Sequence, residues 1–292
     1  MELAAITVVF LGLAGFFAGG LGALVGIGGG VVLVPLLVLA FSADIRLAVA
    51  TSLVSVVATS TAEGSVYVGK GLANMRLGMT LEIFTTLGGI SGGLIAASVP
   101  PQVLAGLFAF LMLFTSGLML RGKETKGAAS KGRAADNDIP NGHEEIGTLA
   151  GSYSDEHLGE VIHYRAVRVW LGGGISFLAG IVSGLLGVGG GFIKVPAMHL
   201  GMRVPIKVAA ATSNFMIGVT AVSSLFVYFA RGMVQPYVAA PVALGVTAGA
   251  LAGTGIAKRV SALRLRQLMS AVLVLVAVQM FLKAMGVQLG HH

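Results

Sequence analysis

Residues 18–35 read AGGLGALVGIGGGVVLVP and residues 179–196 read AGIVSGLLGVGGGFIKVP, identical at nine of eighteen positions at an offset of 161. The same offset, without a gap, lays IRLAVATS at 45–52 on IKVAAATS at 206–213 with five of eight identical, and Tyr67 on Tyr228. An offset held across fifty positions exceeds what shared apolar composition produces. The chain reads as two halves built on one plan.

The setting of those halves is a membrane. Of 292 residues 55% are hydrophobic and only 11% charged, with a mean hydropathy of +0.91, which does not fit a surface covered by water. Each half carries four apolar tracts, at 4–41, 47–68, 77–98 and 101–120 and at 167–200, 206–230, 237–257 and 265–286. Runs of this length cross a hydrocarbon core of about 30 Å as helix. The opening MELAAITVVF has no basic region and no clear cleavage site, so it reads as the first membrane segment rather than a signal peptide. Residues 121–166, with the run DNDIPNGHEE, read as a mobile polar linker. The expected organisation is an N-terminal membrane repeat (1–120), a cytoplasmic linker (121–166) and a C-terminal membrane repeat (167–292). No cysteine is present, which removes disulfides, thiolate metal sites and cysteine nucleophiles.

The net charge of +7 orients this arrangement. With the linker inside the cell, the Lys70 and Arg76 loop, the Arg203 and Lys207 loop and the Lys258, Arg259, Arg264 and Arg266 loop all fall on the cytoplasmic side. Arg46, Arg231 and Lys283 fall outside. The two halves then enter the membrane from opposite faces, so the fold class expected is an all-α polytopic membrane protein. It has two inverted-topology repeats of about five membrane segments each, with broken or re-entrant helices at the glycine clusters GIGGG (26–30) and GVGGG (187–191). The helix after each cluster starts either directly behind Gly30 and Gly191 or at Pro35 and Pro196, and both readings stand.

Unwound glycine backbone exposes N–H groups, and a following helix adds its positive end, so Gly28, Gly29 and Gly30 with Gly189, Gly190 and Gly191 are candidates for holding an anion near the midplane. Close helix packing through small residues is the plainer alternative. Lys194 replaces the apolar Leu33 of the first half, and an ammonium inside hydrocarbon requires a partner, which an anionic substrate or a group of the protein supplies. Thr51 and Ser52, and Thr212, Ser213 and Asn214, can donate hydrogen bonds to sulfonate, sulfite or carboxylate oxygens, or can bond between helices. Glu63 and Glu82 are candidates for a coupled proton, with pairing to Lys70 or Arg76 as the alternative. His199, near a tract end, reads as interfacial.

Other motifs fall short. The glycine runs lack the strand, helix and acidic residue of a dinucleotide site. Ser183 lacks the G-x-S-x-G spacing of a hydrolase nucleophile. No His, Asp and Glu cluster has metal spacing, and the positive loops carry too few aromatics for nucleic-acid recognition.

The signatures GLGALVGIGGGVVLVPLL and SGLLGVGGGFIKVPAMHL, each followed by an A-T-S segment, resemble the sulfite exporter TauE/SafE family over both membrane halves. The resemblance implies a secondary transporter, without cofactor, in a bacterial inner membrane, for sulfite, sulfonates, sulfoacetate or related organic anions. Its partners are then a small anionic substrate and the lipid bilayer; pairing into a homodimer stays open. Two other readings are an anion channel and an intramembrane enzyme. The 121–166 linker is longer than the resemblance leads one to expect.

Overall fold

The computed structural model describes residues 2–25, 29–69, 72–121, 149–155, 160–257 and 262–285. Five helices precede the linker region: α1 (Glu2–Val25), α2 (Gly30–Ala40), α3 (Ile45–Gly69), α4 (Met75–Ser98) and α5 (Pro101–Arg121). Five follow it: α6 (Val169–Leu186), α7 (Gly191–Pro196), α8 (Ile206–Ala230), α9 (Pro236–Ala257) and α10 (Ala262–Ala284). The starts of α2, α3, α4 and α5 lie 161 residues before those of α7, α8, α9 and α10, the offset at which the sequence repeats. Met75–Ser98, Val169–Leu186, Ile206–Ala230 and Pro236–Gly253 are long and apolar enough to cross a membrane. The fold is an all-α polytopic one.

Local signals set the helix ends. Asp44 begins α3 by accepting the Arg46 N–H on its side chain at 2.8 Å, and Asn74 caps α4 by accepting from Leu77 N–H at 3.0 Å. Pro100 stops α4, and Pro101 opens α5 at the position where a missing N–H removes no hydrogen bond. Both tracts that contain a glycine cluster are broken there. α1 runs 24 residues and α2 only 11; α6 runs 18, and α7 six before a π turn at Ala197–Gly201. The short helices begin at Gly30 and Gly191, which settles the start left open by the sequence; Pro35 lies inside α2 and Pro196 ends α7.

The halves interlock. α1 packs along α9, and α6 along α4, each pairing a first helix with the fourth helix of the other half. Small residues make this possible: Gly245 and Gly249 lie against the carbonyls of Gly12 and Phe16, while Gly88 and Gly92 lie against those of Phe177 and Ile181. A Cβ at any of the four would collide with backbone. α3 crosses α8, and α5 crosses α10. The larger apolar core gathers α2, α3 and α5 with parts of α8, α9 and α10; a smaller one joins the starts of α4 and α8 to the π turn and to Tyr164 and Ala166. Large apolar side chains such as Phe10, Phe17, Phe110, Phe226 and Leu244 are exposed, as helices facing lipid require.

Loops gather at two ends. At one, Asn74 Nδ2 donates to the Tyr164 hydroxyl at 3.0 Å and Val167 N–H to the Met202 carbonyl at 3.1 Å. At the other, the Arg46 guanidinium donates to the carbonyls of Ala96 and Val99, and Lys283 Nζ to that of Val38 at 2.9 Å.

The linker departs from expectation in its last third. β1 (Ala150–Asp155) and β2 (Glu160–Arg165) pair antiparallel, Ala150 opposite Arg165, where a mobile stretch was expected. The alternating EVIHYR gives β2 one apolar face, and its Tyr164 is buried in the smaller core. Residues 122–148 lie outside the described residues.

Candidate functional site

The second glycine cluster forms a tight left-handed turn between α6 and α7. Gly187, Gly189 and Gly190 have φ of 69°, 77° and 72°, conformations that L side chains rarely adopt. The Gly187 N–H closes α6 by donating to the Ser183 carbonyl at 2.7 Å, and the Gly190 carbonyl accepts from Ile193 and Lys194 N–H to start α7. At Gly190 there is no room for more: a Cβ would stand 2.8 Å from the Ala179 carbonyl oxygen. In the first cluster Gly28 lies outside the described residues, and Gly29 is right-handed at φ −62°.

The two clusters touch. A Cβ on Gly30 would sit 2.6 Å from the Gly187 carbonyl oxygen and 2.7 Å from Ser52 Oγ, so α2 begins against the second turn. Ser52 Oγ donates to that same Gly187 carbonyl at 2.8 Å, tying α3 of one half to the broken helix of the other. On α8, Ile217 and Ser213 face Gly191.

Lys194 is buried, with 1% of its surface accessible. Its Nζ donates to Thr220 Oγ1 at 2.7 Å, and that hydroxyl lies 2.8 Å from Glu82 Oε1 and 2.9 Å from the Met216 carbonyl. The partner of the ammonium is therefore a group of the protein, a threonine bridging to a carboxylate. Glu82, also buried, takes a second contact from Thr86 Oγ1 at 3.3 Å. The alternative of Glu82 pairing with Arg76 is not what forms, because Arg76 lies on the exposed face one turn and a half earlier on α4. The Glu63 side chain and Lys70 lie outside the described residues.

Four buried side-chain atoms have no hydrogen-bond partner among the described residues: Thr51 Oγ1, Glu82 Oε2, Ser183 Oγ and Ser213 Oγ. Ser183 and Ser213 flank the turn at Gly190 and Gly191, Thr51 neighbours the Ser52 that bonds Gly187, and Glu82 is one hydroxyl away from Lys194. Each orphan raises the free energy of the fold by about 1–3 kcal/mol unless something pairs with it. Ser183 and Ser213 thus form a polar niche at the second glycine turn whose hydroxyls can donate to oxygens, and the Lys194–Thr220–Glu82 group lies about two turns further along α8.

Not every expected residue reaches this niche. The Thr212 hydroxyl accepts from Asn74 N–H at 2.9 Å, holding the start of α4 to α8. Asn214 is half-buried and lies about 100° round α8 from Ser213. Conversely, Thr220 was missed although it follows Ser213 by seven residues and shares its helix face. His199 Nδ1 lies 2.9 Å from the Val204 carbonyl and closes the π turn.

The chain is similar to known proteins along most of its length. The sulfite exporter TauE/SafE family profile matches residues 11–280. A probable membrane transporter protein of Bacillus subtilis, YunE, is 27% identical over 93% of this chain and 96% of its own length. One of Xylella fastidiosa is 28% identical over 88% of this chain and 86% of its own. Sulfite exporter TauE/SafE family protein 6 of Arabidopsis thaliana is 42% identical over 59 residues, 20% of this chain and 14% of that protein. No solved structure matches.

Proposed function

The chain belongs to the sulfite exporter TauE/SafE family, and from that premise we propose that it is a secondary transporter of small sulfur-containing anions, of the sulfite, sulfonate and sulfoacetate class, or of related organic anions. It works by alternating access in a bacterial inner membrane, and the anion leaves chemically unchanged. Residues 1–120 and 167–292 are two membrane repeats of opposite orientation joined by a cytoplasmic 121–166 segment. The clustering of contacts supports this. The loop ahead of α8 shares an end with the Asn74 loop and Tyr164, whereas Arg46, at the start of the equivalent α3, meets Val99 at the other end.

The observation that carries the reading is the pair of orphan hydroxyls, Ser183 and Ser213, at the second glycine turn, with the buried Lys194 on the short helix that follows it. An anion with several oxygens accepts from Thr51, Ser183 and Ser213 while the ammonium offsets its charge. Gly30 and Gly189–Gly191 let backbone approach it closely. The relatives carry transporter names, which favours transport over intramembrane chemistry.

Two experiments test this. A thermal-shift screen of the purified protein over sulfite, thiosulfate, sulfoacetate, taurine and simple carboxylates should raise the melting temperature with sulfur anions. Proteoliposomes loaded with the stabilising anion should then exchange it for labelled anion recovered intact. No stabilisation by any member of the set, or conductance without counterflow, would overturn the carrier.

A further inference from the structure

The relay Lys194–Thr220–Glu82 joins three helices, α7, α8 and α4, and nothing in the anion niche requires its acidic member. The Thr220 hydroxyl has one proton and three partners. It accepts from Lys194 Nζ, which leaves its proton for either Glu82 Oε1 or the Met216 carbonyl. With Glu82 ionised the cluster is neutral, an ammonium and a carboxylate bridged by a hydroxyl. Glu82 Oε2 is left over, buried and without a partner among the described residues.

Adding a monovalent anion beside Lys194 breaks that balance. The ammonium then serves two negative groups, and the excess charge sits where desolvation makes it expensive. Placing one proton on the Glu82 carboxylate restores neutrality: ammonium with anion, carboxylic acid beside them. The proton comes from water at the end of the molecule where α4 starts. Glu82 is seven residues into α4, about 10 Å along its axis, and no bond in the anion changes.

We propose that Glu82 takes up one proton with each monovalent anion bound, so that the buried Lys194–Thr220–Glu82 relay makes this chain a proton–anion symporter. This rests on the anion niche put forward above and adds its coupling ion. A metal cation is a poor substitute, because Lys194 already supplies positive charge at the same hydroxyl. The stoichiometry is one, since the positions equivalent to Lys194, Thr220 and Glu82 are Leu33, Thr59 and Ala243.

Other titratable groups lie away from the relay. α6 contributes none. On α7 and its π turn, His199 is held by the Val204 carbonyl. On α8, Lys207 is at the exposed start, and Tyr228 donates to the Gly184 carbonyl at 2.9 Å two turns beyond Thr220. Arg76 on α4 is exposed.

The test counts protons. Binding of methanesulfonate and isethionate, which stay fully ionised throughout, is followed calorimetrically at pH 6–8 in buffers of different ionisation enthalpy. Wild type should take up one proton per anion, and where Glu82 changes protonation its affinity should fall about tenfold per unit rise in pH. Glu82→Gln should bind with no proton uptake and no pH dependence. Infrared difference spectra of the wild type supply a readout independent of that variant's folding: a protonated carboxyl band should grow on adding the anion. Binding without proton uptake, uptake that persists in Glu82→Gln, or uptake lost in Glu63→Gln instead would overturn the symport and leave the niche standing. Failure of both sulfonates to bind would overturn the niche reading for this class, and the symport with it.

Discussion

At position 33 the first half carries leucine; at the equivalent position 194 the second carries lysine. The same contrast runs round the two glycine turns. Among the described residues Thr59 bonds to its own helix, to the carbonyls of Ser55 and Val56, whereas Thr220 bridges Lys194 and Glu82. Gly29 is right-handed and Gly190 left-handed. Ser52 is tied to Gly187, while its equivalent Ser213 has no partner among the described residues. Helix starts, breaks and glycine contacts between helices are shared by the halves; the buried ammonium belongs to the second and its carboxylate, Glu82, to the first. The lesson is a division of labour: the common frame brings the turns together, and the second half supplies the ammonium and the threonine that bridges it to Glu82 of the first.

Making the second half like the first should have the largest effect. Lys194→Leu leaves the buried Glu82 carboxylate without its ammonium and should cost about 3–5 kcal/mol of stability, seen as a large fall in melting temperature in detergent. Adding Glu82→Gln should recover most of that loss while anion binding stays at least about a hundredfold weaker, as loss of a charged hydrogen-bond donor implies. Recovery of binding in the double variant would mean that the halves do not differ in the way described.

The turns themselves come next. Gly190→Ala forces a side chain into φ +72° and against the Ala179 carbonyl, and should cost about 2 kcal/mol or more. Gly29→Ala, at φ −62° with its closest approach, 3.0 Å, to the flexible end of Val246 and the nearest backbone atom at 3.5 Å, should cost clearly less. Thermal melting of both variants makes the comparison, and equal losses would remove the distinction between the turns.

The smallest contrast is between the equivalent serines. Ser52→Ala strips the Gly187 carbonyl of its donor and should destabilise by about 1 kcal/mol. Ser213→Ala removes a hydroxyl that bonds to nothing described, so stability should hold, while anion affinity falls about fivefold, within the worth of a single hydrogen bond. Melting and calorimetry on the pair separate the frame's serine from the site's.

Much of this frame is legible in the residues. Period and length mark the tracts, the repeated glycines mark where helices break, and the 161-residue offset predicts equivalent helices. The A-T-S segments read alike as donors, and here local pattern stops helping. Thr51 and Thr212 are equivalent in sequence, yet the Asn74 loop lands on Thr212 and bonds to it, while Thr51 has no partner among the described residues. Glu82 reads no differently from Glu63, as a proton candidate or a partner of Lys70 or Arg76, because its real partner depends on α4 packing against α8, a contact between residues 138 apart. Thr220 carries no signal of its own; only the depth of Lys194 in the fold makes its hydroxyl matter. The hairpin at 150–165 hid in a polar stretch because an alternation of six residues is short against its surroundings.

The central claim is that an anion enters the niche between the second glycine turn and α8. The chain contains no cysteine, so Ser213→Cys creates a single thiol in that niche. Its rate of modification by a membrane-impermeant maleimide in proteoliposomes tests the claim most directly. Sulfoacetate at ten times its dissociation constant should slow that reaction about tenfold, with no effect on the exposed control Arg231→Cys. Equal rates with and without the anion at position 213, or no modification there under any condition, would contradict it.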